Sequence, residues 1–321
     1  MTSLDDAETR PTSDDLPDLL QDFRRHLKAS RKSDGTVNLY ARHIGYFLTW
    51  LTEHDRPASA AVVTKVDLEE YFIELGERKT RRNGKEGEQV KPTYVATQYR
   101  SIQQFWAWLE TEEEITVNPF AKMKPPHAED PEVPVMPFGA AQAMLASCDG
   151  REFVNIRDKA ILRLFLDTGL RVSGLADVDT DDLDFENDTI HAILKGGREL
   201  TLPFGSKTSD ALRRYRRARA KHPQAHKTKG FWLGDKGKLT AGGVRQMLER
   251  RAKDAKIDAK ANPHAFRHLF CHHWMLNGGN EHDLARLMGW TSTKMAGRYA
   301  ASAALERAHV AHRRQSPGDQ Y

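Results

Sequence analysis

The sequence predicts a mainly α-helical protein with a small β-hairpin, divided into two domains. Apolar residues recur at the i, i+3/i+4, i+7 spacing of amphipathic helices through most of the chain. Short alternating segments occupy one stretch, and six of the 14 prolines fall between positions 119 and 137. Because proline-rich segments are extended and semi-rigid, we expect residues 114–137 to be an interdomain linker. The 321 residues suffice for each domain to bury a core.

The first domain, residues 16–113, carries four helical patterns. Their apolar positions are Leu19, Leu20, Phe23 and Leu27; Tyr40, Ile44, Phe47, Leu48 and Leu51; Leu68, Tyr71, Phe72 and Leu75; and Val95, Tyr99, Ile102, Phe105, Trp106 and Leu109. Such stripes are nearly always core, so they indicate a four-helix domain. We expect a basic, glycine-containing loop at 79–90 and a disordered lead-in at 1–15, which is acidic and polar.

The second domain, residues 138–321, combines helices with a β-hairpin. The apolar face within AILRLFL at 160–166 ends near Gly169, a residue suited to a helix C-terminus. The segments TIHAIL and RELTLPF alternate in polarity and are joined by KGG, which predicts a β-hairpin. Helical patterns then dominate over 206–221 and 240–315.

The composition is that of a globular protein without a membrane span. Hydrophobic residues make up 39% of the chain and charged residues 29%, and Arg163 interrupts the most apolar run, which is far shorter than the roughly 20 residues of a spanning helix. The acidic N-terminus is unlike a signal or transit peptide. Cys148 and Cys271 make no disulfide framework and suit a reducing cytosol, so we expect a cytoplasmic protein.

The positive charge of the chain is clustered. The net charge is only +4, but the 49 lysines and arginines bunch in RKTRRNGK at 78–85 and RRYRRARAKH at 213–222. Local basic clusters of this kind are compatible with a nucleic-acid partner. They are equally compatible with a solvated helix face.

Four motifs in the second domain gather polar residues: TGLRVSGL (168–175), LKGGRE (194–199), HAFRH (264–268) and LMGWTSTKMAGRYA (287–300). Arg171 follows a helix-ending glycine in apolar surroundings, where an arginine is either paired internally or directed at an anion. Lys195 lies at the predicted hairpin turn, where a long side chain is either solvent-exposed or reaches into a cleft.

The motif HAFRH begins a predicted helix, with Asn262 as its N-cap and Pro263 at its first position. His264 and Arg267, three residues apart, project from one side of this helix start. A helix N-terminus favours anions, and a guanidinium binds phosphate oxygens through two hydrogen bonds. The motif therefore suits an anionic ligand.

A metal site is the alternative interpretation of this helix, because His264, His268 and His272 share one face. Hydrolytic zinc sites often use His-Glu-x-x-His, and structural zinc sites use Cys/His pairs at short spacings. This helix has no glutamate between His264 and His268, and the chain has no Cys pair. We therefore predict no metal and no other cofactor, with His268 and Cys271 as packing residues.

Taken together and in this order, the four motifs resemble the catalytic domain of the tyrosine recombinases, the phage integrase and Xer/Cre-like family of site-specific DNA strand-transfer enzymes. The resemblance covers roughly residues 140–310, and residues 16–113 resemble the family's helical, SAM-like core-binding domain. It implies a mixed α+β catalytic domain. By position, the implied catalytic residues are Arg171, Lys195, His264, Arg267, Trp290 and Tyr299.

The resemblance also implies a reaction without metal or ATP. Tyr299 is the implied nucleophile, forming a 3′-phosphotyrosyl bond that preserves the energy for rejoining. The two arginines, permanently charged and fork-shaped, suit the non-bridging phosphate oxygens. The Trp290 indole can donate a hydrogen bond but cannot carry a proton. Acid–base work is therefore left to Lys195, implied as the acid for the 5′ oxygen, and His264, implied as the acceptor of the tyrosine proton.

One position departs from the family pattern. The family usually has Glu or Asp three residues after its first arginine, a carboxylate that helps to orient neighbouring side chains, but this chain has Gly174. Either Asp177 or a backbone carbonyl could take over that task, or the site could be slower.

Double-stranded DNA with a specific core site is the implied partner. Candidate phosphate contacts are Lys79, Arg81, Arg82, Lys85, Arg213, Arg214, Arg216 and Arg217, with plain solubility as the competing explanation. Family members commonly donate the helix beyond the tyrosine to a neighbouring subunit, which implies a homotetramer, and accessory DNA-bending proteins are a further implied partner. The competing expectation is that this helix packs on its own domain.

Two other functions remain open on the sequence. A DNA-binding protein with weak or no catalysis would keep the fold, and Gly174 is the feature in its favour. A type IB topoisomerase-like enzyme would share the chemistry, but a separate four-helix domain and a short chain favour the recombinase.

Overall fold

The computed structural model describes residues 14–82, 85–127, 135–193, 199–257 and 261–321, without the side chains of 81, 82, 85, 86 and 320. The chain divides into two compact units, Met1–Pro131 and Glu132–Tyr321. Most of the predicted lead-in, up to residue 13, lies outside the described residues. Among the helices described, none is long and apolar enough to cross a lipid bilayer.

The first unit contains the four predicted helices: α1 (Leu16–Ala29), α2 (Asp34–Glu53), α3 (Lys65–Glu77) and α4 (Pro92–Thr111). Their apolar stripes form a single core rich in aromatic rings. Local signals fix the helix starts, since the Ser33 side chain caps α2 and Thr64 forms a capping box with Asp67 at α3. Ile115 and Phe120, within the predicted linker, also pack into this core.

The prediction of a loop at 79–90 is wrong, because most of this stretch forms two strands. Strands β1 (Lys79–Arg82) and β2 (Lys85–Gln89) pair there as an antiparallel hairpin. Neither strand alternates apolar and polar residues, and the side chains described on them, at 79, 80, 88 and 89, are exposed. The period-2 signal on which strand prediction depends is therefore missing.

The second unit is mainly helical, as predicted, with small antiparallel sheets. In chain order its elements are α5 (Phe138–Ala146), α6 (Phe153–Thr168), α7 (Val172–Asp177), β3 (Leu183–Asp184), β4 (Thr189–Ile193), β5 (Glu199–Pro203), α8 (Ser206–Ala220), β6 (Leu233–Gly234), β7 (Gly237–Lys238), α9 (Ala241–Asp254), α10 (Pro263–Leu276), α11 (Glu281–Leu287) and α12 (Lys294–Arg314). The predicted hairpin is confirmed as β4–β5, with Ile193 opposite Glu199, in a sheet of order β3-β4-β5.

Two packing features place the helices that carry the four motifs. Helix α6 packs on α10, with the rings of Phe165 and Phe266 5.8 Å apart, so the end of α6 lies near the start of α10. Gly169 ends α6 in the left-handed conformation, at φ 57°, and a Cβ there would come within 2.9 Å of the Phe270 ring. Glycine therefore serves both the turn and the close helix approach.

Candidate active site

Tyr299 lies in the second turn of α12 and is only 2% exposed. It belongs to a small apolar cluster, separate from the main core, that α10, α11 and α12 form with residues such as Cys271 and Leu284. The indole of Trp290 is stacked against its ring, with centroids 5.9 Å apart and the planes 3° from parallel. The phenol is therefore held between two helices and an indole.

Arg267 is fixed by main-chain atoms. It lies in the first turns of α10, where the Asn262 side chain accepts a hydrogen bond from the Ala265 amide and caps the helix as predicted. Its guanidinium is 6% exposed and donates to the carbonyl of Gly169 at 2.8 Å and to that of Met288 at 3.1 Å. Its Cζ lies 5.4 Å from the centroid of the Trp290 ring.

Arg171 has a different environment. It is the half-buried residue at the start of α7, and its side chain makes no hydrogen bond or ion pair within the described residues. Burial first, and then the charge of Arg171, lower the pKa of Arg267 to about 10, so Arg267 remains protonated at neutral pH. Two close cations that repel each other are stabilised by an anion between them, which favours phosphate.

Tyr299 is hydrogen-bonded to His268, a contact that bears on the roles expected of two histidines. The His268 Nδ1 lies 2.5 Å from the Tyr299 hydroxyl, whereas His264, predicted as the acceptor of the tyrosine proton, is exposed and contacts His268 with ring centroids 6.3 Å apart. His268, predicted as a packing residue, is therefore a functional candidate. His268 lies one helical turn after His264, on the side of α10 that packs against α12.

Burial controls the ionisation of the phenol. Desolvation raises the pKa of Tyr299 to about 12, with Cys271 adding to the shift while Arg267 and Arg298 oppose it. Burial also raises the pKa of Cys271 to about 12, so this thiol stays neutral and acts as a packing residue, as predicted. The phenol needs a proton acceptor to react at neutral pH.

The question raised by Gly174 has a structural answer. The two carbonyls of Gly169 and Met288 orient Arg267, whereas Asp177 lies on the surface, with an oxygen 3.8 Å from the amino group of Lys238. Gly174 is buried in α7, and a Cβ there would meet its nearest atoms, at Ile193 and Leu170, at ordinary van der Waals distance. Backbone carbonyls, and not Asp177, therefore hold Arg267 in this structure.

Two further positions considered in the sequence analysis are Lys195 and His272. Lys195 lies outside the described residues, although β4 and β5 flank its position. His272 contacts Glu306 at 3.1 Å. Within the described ranges, no group of three or more His, Cys, Asp and Glu side chains could hold a metal ion.

The candidate DNA contacts divide into three sets. Lys79 is exposed on β1, and Arg81, Arg82 and Lys85 belong to the same hairpin, with their side chains outside the description. On α8, three of the four arginines are engaged within the unit: Arg213 with Ser209, Asp188 and the Phe185 carbonyl, Arg214 with the Gly150 carbonyl, and Arg216 over the Phe185 ring. Arg217 is exposed and makes no hydrogen bond, ion pair or ring contact among the described residues.

A buried tyrosine stacked on an indole and near Arg267, whose charge is in turn influenced by Arg171, on a mainly helical unit with small sheets, is the arrangement of a tyrosine recombinase. Residues 135–306, more than half of the chain, match the family described as the phage integrase family. The chain belongs to this family of enzymes, which break and rejoin DNA.

Curated relatives extend the similarity over nearly the whole chain. Tyrosine recombinase XerC of Syntrophus aciditrophicus is 25% identical over 310 residues, covering 92% of this chain and 98% of that protein. Tyrosine recombinase XerD of Listeria innocua is 27% identical over 279 residues, covering 85% and 90%.

Solved structures share the fold. The Tn1549 transposon integrase in complex with transposon right-end DNA matches with a TM-score of 0.67 at 22% identity, over 93% of this chain and 99% of that chain. The XerH site-specific recombinase bound to palindromic difH substrate matches with a TM-score of 0.71 at 14% identity, over 91% and 83%.

Proposed function

We propose that this enzyme is a site-specific recombinase that cuts and rejoins double-stranded DNA at a core site through a 3′-phosphotyrosyl intermediate at Tyr299. The observation that carries this proposal is the fixed position of Arg267, whose guanidinium is held by two carbonyls next to Trp290, which itself stacks on Tyr299. Such preorganised donors stabilise the charge that develops on a phosphate in the transition state.

Each side chain then has a role at the phosphate. Arg171 and Arg267 bind the non-bridging oxygens, and the Trp290 indole donates one hydrogen bond. His264, exposed at the start of α10, faces the same anion. Lys195 protonates the departing 5′ oxygen. The residues need neither metal nor ATP, because the phosphotyrosyl bond keeps the energy of the broken phosphodiester.

Attack requires a movement of α12. A phenol that is 2% exposed cannot reach the phosphorus of a DNA backbone. The first turns of α12 must therefore shift on binding DNA, so that the phenol oxygen reaches the phosphate without leaving His268, its hydrogen-bond partner. The relatives in complex with DNA support a DNA-bound state as the one that reacts.

The nucleophile is tested by Tyr299→Phe on a nicked suicide substrate, with Tyr321→Phe as the matched control because Tyr321 is fully exposed. We expect Tyr321→Phe to form the covalent protein–DNA adduct like the parent enzyme and Tyr299→Phe to form none. Cleavage is expected to persist in EDTA. An adduct with Tyr299→Phe, or loss of cleavage in EDTA, would overturn the proposal.

The enzyme assembles as a homotetramer on DNA by exchange of the end of α12. Beyond Ala303 the helix is mostly exposed, and Leu305 is 67% exposed. The same unit has a groove of about 740 Å³ whose lining includes the apolar Leu166, Phe270 and Trp274 and the basic Arg163 and Lys207. We assign this groove as the acceptor for a neighbouring subunit's helix, whose Glu306 is opposite in charge to Arg163 and Lys207.

Truncation after Ala303 tests the assembly, because it keeps every buried residue of α12. We expect the shortened enzyme to cleave single sites at the parent rate and to lose cooperative pairing of sites and recombination. A truncated enzyme that still pairs two sites would refute the exchange. Accessory DNA-bending proteins and a location in the prokaryotic cytoplasm, as a cellular or phage-encoded protein, complete the proposal.

The rival functions are less well supported. A catalytically inactive binder would not need a buried tyrosine near a fixed arginine, and despite Gly174, the one feature in its favour, Arg267 is held in place by two carbonyls. A topoisomerase-like enzyme would relax plasmids without site dependence, and site-independent relaxation is the result that would favour it.

A further inference from the structure

The hydrogen bond between His268 and Tyr299 is the contact at the site that the family resemblance did not anticipate. It joins residues 31 positions apart, from α10 and α12, at 2.5 Å between Nδ1 and the hydroxyl oxygen. The two rings lie 5.6 Å apart and are inclined by 39°. At this distance the Tyr299 hydroxyl can donate a hydrogen bond to Nδ1.

We propose that His268 is the residue that positions Tyr299 and accepts its proton during strand cleavage. The proposal rests on the proposed function, because it concerns the nucleophile assigned there. It differs from the role that the resemblance implied for His264, which lies one turn earlier on α10 and is directed at solvent.

The surroundings of His268 keep its imidazole neutral and able to accept. Burial, then His264 and Arg267, lower its pKa from the usual 6.5. These two residues are on α10 itself, and Tyr299 is the titratable group that faces it from α12. Helices α6 and α11 pack on α10 through apolar residues such as Phe165 and Leu284. At neutral pH the Nε2–H tautomer therefore leaves Nδ1 free to accept.

The proton transfer balances the cleavage step. The Tyr299 oxygen forms a bond to phosphorus as the bond from phosphorus to the 5′ oxygen breaks, and the phenolic proton moves to His268 Nδ1. The 5′ oxygen leaves as a hydroxyl, with its proton from the general acid. Rejoining reverses each transfer, and His268 returns the proton to Tyr299.

Three variants separate positioning from proton transfer. His268→Gln keeps an acceptor for the phenol but cannot take its proton, and His268→Ala removes both. His272→Gln is the matched control, one turn later on α10, because His272 contacts Ser302 and Glu306 instead of Tyr299. The readout is the rate of covalent adduct formation on a nicked suicide substrate between pH 5 and 9.

For the parent enzyme and for His272→Gln we expect the rate to be level near neutral pH and to fall with pH below 6.5, as the imidazole takes up a proton. For His268→Gln we expect a rate about 100-fold lower at pH 7. In that variant the acid limb is lost, and the rate rises with pH because the phenol must ionise unaided. His268→Ala should be slower still.

Two results would overturn the proposal. If His268→Gln forms the covalent adduct at the parent rate, His268 only positions the phenol and does not accept its proton. If His264→Gln removes the acid limb while His268→Gln keeps it, His264 is the proton acceptor. A covalent adduct with Tyr299→Phe would instead remove the nucleophile and the proposed function with it, so the two failures are distinguishable.

Discussion

The arginines of α8 and Arg171 at the start of α7 differ in whether the second unit supplies partners for their side chains. The segment 213–222 on and just after α8 contains five arginines and resembles a DNA-binding surface by sequence. Four of them contact carbonyls, a hydroxyl or an aromatic ring of their own unit: Arg213, Arg214, Arg216 and Arg219. Arg171, a single arginine among apolar residues, has no such partner in the described structure.

The difference shows that a cluster of charge is weaker evidence for a ligand than one charge without a partner. A buried or half-buried guanidinium that is already satisfied stabilises the fold, whereas one left unsatisfied beside another cation is available to an anion. Arg267 is satisfied in its hydrogen bonds and still available in its charge. Two carbonyls fix its amino groups, and its positive charge acts on Tyr299.

The largest expected effect comes from exchanging Arg267 and Arg171 separately. Arg267→Gln and Arg171→Gln should each slow adduct formation at least about 100-fold. Only Arg267→Gln leaves the carbonyls of Gly169 and Met288 without their donor, so it should also lower the free energy of unfolding by about 2 kcal/mol. Arg171→Gln should change it by less than about 0.5 kcal/mol.

These two variants are compared by urea unfolding and by a suicide-substrate assay. Equal losses of stability would mean that Arg171 has partners like those of Arg267. Full cleavage by Arg171→Gln would remove Arg171 from the site and break the contrast between the two groups.

A smaller effect is expected from Arg213, where the role is structural. Arg213→Gln loses the hydrogen bond to the Ser209 hydroxyl, which is 3.2 Å from its Nε, and the stacking of its guanidinium 5.1 Å from the Phe185 ring. We expect the free energy of unfolding to fall by about 1 kcal/mol. The dependence of DNA affinity on salt should be unchanged. A flatter salt dependence would show that Arg213 contacts phosphate as well.

The smallest effect is expected from Arg217, the exposed arginine of the run. If it contacts a phosphate, Arg217→Gln reduces the slope of log affinity against log salt concentration by about 0.9 and leaves thermal stability unchanged. Arg213→Gln is the control on the same helix. An unchanged slope for Arg217→Gln would exclude Arg217 as a phosphate contact.

Local signals allowed much of the fold and part of the site to be predicted. Asn262 and Pro263 mark the start of α10, Gly169 ends α6, and the polarity of two short segments gives β4 and β5, and the structure confirms each. These features depend on a few neighbouring residues, whose backbone preferences act wherever the chain folds.

Other features of the site depend on contacts that a residue pattern does not contain. The spacing of His264, His268 and His272 places them on one face of α10, but the position of α12 decides that His268 meets Tyr299. The groups that accept hydrogen bonds from Arg267 are main-chain carbonyls. Every residue carries such a carbonyl, so no residue type in the sequence marks them. The hairpin at 79–89 was not predicted because KTRR and KEGEQ contain no alternating apolar residues.

The central claim is that the Tyr299 oxygen becomes bonded to DNA, and mass spectrometry of the trapped adduct tests it most directly. Trypsin cleaves after Arg298 and Arg307, so the adduct formed on a suicide substrate, after nuclease and trypsin digestion, should yield the peptide 299–307 carrying a nucleotide on its tyrosine. The account is contradicted if the nucleotide is found on another residue, or if cleaved DNA accumulates with no protein attached.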